Sequence, residues 1–465
     1  PYRSSVFLSV SRTIDIGGNM TKYEPTFASL SQHEVPEWFQ DAKFGIFSHW
    51  TVGSVPAFAP LGKDPFTLAR EEGEEMAFSH TPYAEWYQNS INIPGSPAAL
   101  YHEKVWGNCD YSTFVNIFLE AAKGWDSKRW EQLLAASGAK YCVMVTKHHD
   151  GVLMWPSETP NPTHGEKWSS QRDLVQECAD AARNAGLRFG VYYSGGIDWT
   201  FQGLGIKSWA TLYGAIPQDD TYHAYAEAHW HELIRKYNPD VLWNDIGYPR
   251  FGEGAAQLMA DFYNSNPEGV VNDRFDFIGV MQGTSHADFG TPEYTTKAAG
   301  PKKMYEVTRG IGTSFGYTQD EDDSTYLSIP ALITMFVNIV ADGGNLLLNY
   351  GAMPGGEIPW AQQLRLLAMG QWLSVNGDAI YGSRPHKVST LSTDEGLVVR
   401  LTKGADGATY AMVIGRPSTA KITIDGLPEG DVKLLGHHAQ LKREGNSVTL
   451  PNRPDDTPVY TLRIR

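Results

Sequence analysis

Most residues able to do chemistry in this chain fall at one kind of place, the end of a short apolar run. The run 44–50 (FGIFSHW) ends on His49 and Trp50, and 140–149 (KYCVMVTKHH) ends on Lys147, His148 and His149, with Asp150 next. The run 187–194 carries Tyr192 and Tyr193, and 239–245 (PDVLWND) ends on Trp243, Asn244 and Asp245. The run 269–273 ends on Asn272 and Asp273 with Arg274 following, and 287–294 (ADFGTPEY) holds Glu293 near its end. A carboxylate at the end of a buried strand is costly unless it is paired or working. Asp245 and Glu293 are two such carboxylates on different runs, and paired carboxylates are what glycoside hydrolysis uses. Asp245 also fits a loop-capping role. Glu306, Asp273 and Glu85 stand beside Glu293 as alternatives for the second carboxylate, and spacing does not choose among them.

The histidines admit two readings. A single histidine at a strand end is commonly structural, but His49 and the His148–His149 pair end different runs, which favours contact with a shared ligand. Adjacent strand residues point to opposite faces, so both members of the pair reach one ligand only where the chain already turns. Asp150-Gly151 is such a turn signal. Three histidines with Asp245 also suggest a metal-dependent hydrolase. These strand-end histidines lack the usual H-x-H and H-E-x-x-H spacings, so no metal and no cofactor is expected.

These residues need a scaffold that gathers strand ends. Apolar runs alternate with helix-like stretches from about residue 44 to 380, and 303–310 and 345–351 complete a set of eight runs. Buried parallel strands with helical crossovers define an α/β chain with an irregular (β/α)8 TIM-like barrel, whose active site forms at the C-terminal ends of its strands. Helices are predicted after Asp126, after Ser170 and up to Asn238, from caps and Gly or Pro stops. Residues 275–302, rich in Gly, Thr and Pro, leave room only for short helices. Residues 51–115 read as a large loop over the barrel mouth. From about 385 onward, short alternating runs separated by glycine turns predict a C-terminal antiparallel β-sandwich. The resulting organisation is an N-terminal extension at 1–37, a barrel at 38–382 and a sandwich at 383–465. The first nineteen residues, ahead of Met20, read as partly foreign to the natural chain.

Composition narrows the partners. A formal net charge of -15 disfavours nucleic acid and anionic membranes. No apolar stretch approaches the ~18 residues of a membrane span. The start has no convincing leader pattern, which favours a cytoplasmic location. Cys109, Cys142 and Cys178 are too few and scattered for a disulfide framework, and the last two read as buried apolar residues. The abundance of aromatic rings suits the apolar faces of sugars.

Taken in order, AKFGIFSHW, AEWY, KYCVMVTKHHDG, FGVYYSGGIDW, PDVLWNDIGYP, VNDR, TPEY, YEVTRGIGTSFGY and GGNLLLNYG resemble the signature blocks of the α-L-fucosidases of glycoside hydrolase family 29, over about residues 38–382. The resemblance implies a retaining exo-enzyme that removes terminal α-L-fucose from oligosaccharides or glycoconjugates. It implies Asp245 as nucleophile and Glu293 as acid/base, with Glu306 as runner-up. It implies that His49, Glu85, Trp86, His148, His149, Tyr192, Trp243 and Arg274 line the fucose pocket, with Phe315 packed against the sugar. The same residues would serve transfer of fucose to an acceptor sugar. A non-catalytic fucose-binding protein on this scaffold is the other alternative, and the presence of Asp245 speaks against it.

Overall fold

The structure, a computed structural model, describes residues 22–250, 254–298, 300–451 and 457–465. The first nineteen residues therefore lie outside the described part. Seven parallel strands form one curled sheet: β1 (Phe44–His49), β2 (Tyr141–Lys147), β3 (Arg188–Ser194), β4 (Val241–Asp245), β5 (Val270–Val271), β6 (Glu306–Gly310) and β7 (Asn345–Gly351), in the order β5-β4-β3-β2-β1-β7-β6. The expected eighth strand, 287–294, is not a regular strand. It fills the gap between β5 and β6 through isolated parallel bridges, Asn272 to Phe289 on one side and Gly290 to Tyr305 and Glu293 to Thr308 on the other. Pro292 lacks an N–H, and the Asp288 carboxylate occupies the Val271 N–H at 2.8 Å, so a continuous ladder cannot form there. The architecture is a TIM-like barrel with one irregular stave.

Side chains alternate between two cores, as the period-2 pleat requires. Cys142, Met144, Phe189, Val191, Leu242, Leu346 and Leu348 pack outward against the helices. Phe47, Tyr141, Val143, Val145, Tyr192, Trp243 and Leu347 fill the barrel interior. Gly45 is needed because a Cβ there would come within 2.4 Å of the Tyr141 ring, which crosses the interior beside it. One irregularity serves the site. The β2–β3 register shifts between Val145 and Lys147, so the alternation slips by one residue. Lys147 is thereby buried against Asp198 at 2.8 Å, away from the barrel mouth, and His148 takes the inward position.

The crossover helices largely follow their caps. Ser127–Ser137 is capped by Asp126 and ends at Gly138 (φ 80°), and Asp220–Tyr237 ends at left-handed Asn238 (φ 43°). The helix expected after Ser170 starts later, at Leu174–Asn184, because Asp173 supplies the N-cap to Gln176. Residues 51–115 are not one loop: they contain helices Pro65–Glu72, Glu74–Ser79, Pro97–Trp106 and the start of Tyr111–Ala122. The 275–302 segment holds the short helix Phe277–Gln282, as expected.

Beyond the barrel, β8 (Arg384–Ser392), β9 (Val398–Lys403), β10 (Thr409–Ile414), β12 (Val432–Leu434) and β15 (Val459–Ile464) form one antiparallel sheet. A second contains β11 (Lys421–Thr423), β13 (Lys442–Glu444) and β14 (Ser447–Thr449). Both contribute to one apolar cluster, including Val399, Val413, Ile422, Val448 and Leu462, so the sheets pack face to face. Cys109, Cys142 and Cys178 are free, the last two buried. No described helix is long and apolar enough to cross a membrane.

Candidate active site

A cavity of about 520 Å³ opens at the C-terminal ends of the strands. Its walls include His49, Glu85, Trp86, His148, His149, Tyr192, Trp243, Asp245, Arg274, Glu293 and Phe315. The structure thus brings together every site residue expected from the sequence except Glu306, which lines no part of it.

Asp245 is the last residue of β4 and only 8% exposed. Its Oδ2 accepts from the Tyr192 hydroxyl at 2.8 Å, and its Oδ1 accepts from Arg274 Nη1 and the Ile246 N–H, both at 3.0 Å. Burial pushes its carboxyl up, but the Arg274 charge and these hydrogen bonds outweigh that and hold it below the ordinary carboxylate range, so Asp245 stays ionised. Glu293 accepts from the Tyr83 hydroxyl at 2.8 Å and from Arg274 Nη2 at 2.7 Å. The two carboxylates therefore face one side of the barrel mouth, held on adjacent nitrogens of one guanidinium. The fork itself is fixed: Arg274 Nε donates to Thr291 Oγ1 at 2.8 Å, and its plane lies over the Trp243 ring, 4.7 Å from the centroid. Thr291 in turn donates to Asp273 at 2.7 Å, which places Asp273 behind the arginine as its support.

The residue after each carboxylate is left-handed, Ile246 at φ 62° and Tyr294 at φ 49°. For a β-branched or aromatic residue this costs of order 1–3 kcal/mol, and such strain collects at functional sites. Here it turns the chain sharply out of the barrel wall directly after each carboxylate.

Two histidines are set as neutral acceptors. His49 Nδ1 lies 2.6 Å from Asn349 Oδ1, and Asn349 uses its amide nitrogen on the Phe315 carbonyl at 2.7 Å. The amide is thereby oriented, and the His49 proton must sit on Nδ1. His149 Nδ1 lies 2.6 Å from Ser194 Oγ, whose own proton goes to the Ile197 carbonyl at 2.6 Å, so His149 also carries its proton on Nδ1. Burial lowers the two rings to about 3 and about 4, respectively, so each leaves Nε2 as an acceptor. His148 stacks on Tyr192, 5.6 Å between centroids at 9°, and its buried Nδ1 has no hydrogen-bond partner among the described residues. The chain is indeed turning at the pair: the Gly151 N–H donates to the His148 carbonyl, and Gly151 has φ 77°.

Glu85 is the opposite case. It is 2% exposed, and one oxygen accepts from the Gly316 N–H at 2.6 Å. Burial raises its carboxyl to about 8, so at neutral pH it is a neutral acid with an O–H to donate. A Cβ on Gly316 would come within 2.9 Å of Glu85 Oε2, so the close approach requires glycine. Phe315 and Phe47 supply apolar wall, and Trp86 meets His149 edge-on at 5.1 Å.

Glu306 is the first residue of β6, at the far end of that strand from the mouth. Its oxygens accept from Tyr141 at 2.5 Å and from Trp243 Nε1 at 3.0 Å. It fixes the Trp243 ring from below. Of the other strand-end residues, Tyr193 bonds His229, Asn244 ties the loop through Gly247 and Arg274 carbonyls, and Asn272 bonds the Asn244 backbone. Sequence reasoning missed Tyr83, Asn349 and Ser194. Asn349 and Ser194 do sit at or near strand ends, a signal that was available. Tyr83 lies in the long segment after β1 and carries none.

Among the described residues, one group has three potential metal ligand atoms within 4.8 Å of each other, His33, His286 and Asp288, and it is outside the cavity. The pocket histidines and Asp245 form no such group.

A barrel mouth with a buried and a half-buried carboxylate on one arginine, neutral imidazoles and aromatic walls defines a glycoside hydrolase site. A family model described as Alpha-L-fucosidase matches residues 13–378. The plasma alpha-L-fucosidase of Homo sapiens is 31% identical over 453 residues, spanning 93% of this chain and 89% of that protein. The alpha-L-fucosidase of Dictyostelium discoideum is 30% identical, spanning 95% and 91%. The crystal structure of the Thermotoga maritima alpha-fucosidase in complex with fucose superposes with a TM-score of 0.83 at 38% identity, covering 95% of this chain and all of that one. The chain belongs to the alpha-L-fucosidase family of glycoside hydrolases.

Proposed function

We propose that this protein is a retaining exo-α-L-fucosidase acting on fucosylated oligosaccharides or glycoconjugates, with residues 38–382 as its catalytic unit and 383–465 as an accessory sandwich. The observation that carries the reading is Arg274 joining Asp245 to Glu293 inside a cavity that also holds neutral imidazoles, Glu85 and aromatic rings. Asp245, ionised by its surroundings, attacks the anomeric carbon as Glu293 protonates the departing oxygen. A fucosyl ester forms on Asp245, and Glu293 then takes the proton from water as that water displaces the ester. A sugar hydroxyl arriving in place of water would give transfucosylation by the same steps. Fucose has a methyl where galactose has a hydroxymethyl, and the Phe315 wall suits that methyl. The Nε2 atoms of His49 and His149 accept sugar hydroxyl protons, and the neutral Glu85 donates to a hydroxyl oxygen. That the Thermotoga maritima relative binds fucose supports the choice of sugar.

The test is hydrolysis of an aryl α-L-fucoside by wild type, Asp245→Gly and Glu293→Ala, with and without azide. The expected result is an active wild type and two inactive variants. Azide should rescue Asp245→Gly with inverted product and Glu293→Ala with retained product. A wild type that cleaves no fucoside would sink the reading. An active Glu293→Ala would move the acid/base role elsewhere.

A further inference from the structure

The outer half of the cavity is chemically unlike its floor. It is lined by Phe66, Phe78, Trp209 and Tyr213, and by Phe277 and Ile278 of a separate helix. Apolar side chains this exposed normally mark a contact surface: Phe66 is 40%, Trp209 38% and Phe277 45% accessible. The rings are continuous with the sugar site. His149 meets Trp86 at 5.1 Å, Trp86 meets Phe78 at 6.1 Å, Phe78 meets Trp209 at 5.2 Å, and Trp209 stacks on Phe66 at 6.2 Å with only 18° between planes.

This platform is built to be rigid. Trp209 opens helix Trp209–Gly214, which has a full capping box from Ser208 and Thr211. The Trp209 N–H is held by Glu74, which ties that helix to Glu74–Ser79. Beneath the rings, Phe78, Trp86, Ile197, Trp199, Ile206 and Leu212 form a separate small core. The helix carrying Phe277 and Ile278 is fixed by Asp276, which accepts from the Gly279 N–H at 3.0 Å. Polar groups among the rings are few, chiefly Thr81, Thr295, the Tyr213 hydroxyl and Asp276, one oxygen of which is occupied in capping Gly279.

Resting on the fucosidase reading above, we propose that this mouth is the leaving-group subsite, and that it holds a pyranose ring by its flat C–H face against Trp209 and Phe66. A fucose seated at Asp245 must pass its aglycone out through this opening, so the occupant is the next sugar of the substrate. Recognition by stacking, with few fixed hydrogen bonds, makes the subsite tolerant of hydroxyl stereochemistry and demanding of a flat apolar face.

The test compares Trp209→Ala and Phe66→Ala with wild type on three substrates: a fucosyl disaccharide, an aryl fucoside and α-L-fucosyl fluoride, whose leaving group is too small to reach the rings. The expected result is that kcat/KM on the disaccharide falls roughly fivefold more than on the fluoride, with the inhibition constant of free fucose unchanged. Phe277→Ala, on a separate helix of the same cavity lining, gives an independent second reading. Equal losses on disaccharide and fluoride would mean the rings act only on the fold and would overturn the proposal. A selective loss on the aryl fucoside alone would overturn the pyranose assignment, and no loss on any substrate would overturn the subsite. A wild type inactive on all three would instead strike the fucosidase reading itself.

Discussion

Replacing Arg274 by methionine tests the electrostatic core of the site. The guanidinium gives one charge-assisted bond to Asp245 at 3.0 Å, one to Glu293 at 2.7 Å, and further bonds to Thr291 at 2.8 and 3.2 Å. Methionine keeps an unbranched apolar side chain but removes all of these, together with the guanidinium over Trp243. A hydrogen bond to a charged group contributes about 1.5–3 kcal/mol, so losing one at the reacting centre predicts a fall in kcat/KM of roughly 10- to 100-fold. Losing both, with two carboxylates left facing each other, predicts about 10²- to 10³-fold. The pH profile is the sharper readout. Burial pushes the Asp245 carboxyl up and Arg274 is the leading influence pulling it down, so without the arginine the acid limb of kcat/KM moves to higher pH. Arg274→Lys keeps a point charge but cannot bridge both carboxylates. It should hold the acid limb near its wild-type position while losing rate. The assay is aryl-fucoside hydrolysis across the pH range, with circular dichroism to confirm folding. An Arg274→Met enzyme with an unmoved acid limb and activity within about threefold of wild type would refute this account, because a group worth one charge-assisted bond could not be so dispensable.

Two further outcomes follow from other buried charges. Glu85 is neutral below about pH 8 because burial outweighs its backbone hydrogen bond. Its raised carboxyl means the folded state binds the extra proton, so its contribution to stability falls as pH rises from the ordinary carboxylate range toward 8. Glu85→Gln should flatten that fall and keep KM constant above pH 8, where wild-type KM rises; parallel KM curves for the two proteins would contradict the assignment. His33 presents Nδ1 to Asp288 at 2.8 Å and Nε2 to the Pro267 carbonyl at 3.1 Å, two acceptors, so both ring nitrogens carry protons. Burial lowers its pKa but Asp288 more than restores it, leaving it raised. This stability is fully present below the unfolded value of about 6.5 and is lost as pH rises through the folded one. The gap in melting temperature between wild type and His33→Gln should therefore narrow from pH 6 to pH 9, and a gap that stays constant would remove the charged histidine.

The barrel strands were legible because parallel strands buried on both faces must be continuously apolar, and their ends announced the pocket. Parity was harder. Nothing in KYCVMVTKHH says that the register slips after Val145, yet that slip decides whether Lys147 or His148 faces the sugar site. The stave at 287–294 looked like its neighbours by composition, but Asp288 and Pro292 disrupt the ladder in ways only the partner strands reveal. The path of 51–115 was illegible: its helices carry local signals, but their docking does not. Tyr83 reaches Glu293 from 210 residues away, and the pairing depends on a tertiary fold that no local pattern encodes. Glu306 was a plausible runner-up by type, and its distance from the mouth follows from being the first rather than the last residue of its strand.

The arginine also explains why two carboxylates can trade charge in so enclosed a space. On the proposed mechanism, the enzyme starts with Asp245 ionised and Glu293 protonated. After the first step, Asp245 is a neutral ester and Glu293 carries the negative charge. The second step reverses both. In each resting state one anion faces the guanidinium, and only its position changes, from Nη1 to Nη2. Proton transfer to the leaving group and back from water keeps the net charge of the pocket constant, and the fixed cation pairs whichever carboxylate is charged, so neither step leaves a buried unpaired charge, which would cost several kcal/mol. Thr291 and Trp243 hold that cation still while the charge moves around it. This arrangement would serve the double displacement proposed above, in which the two carboxylates alternate roles.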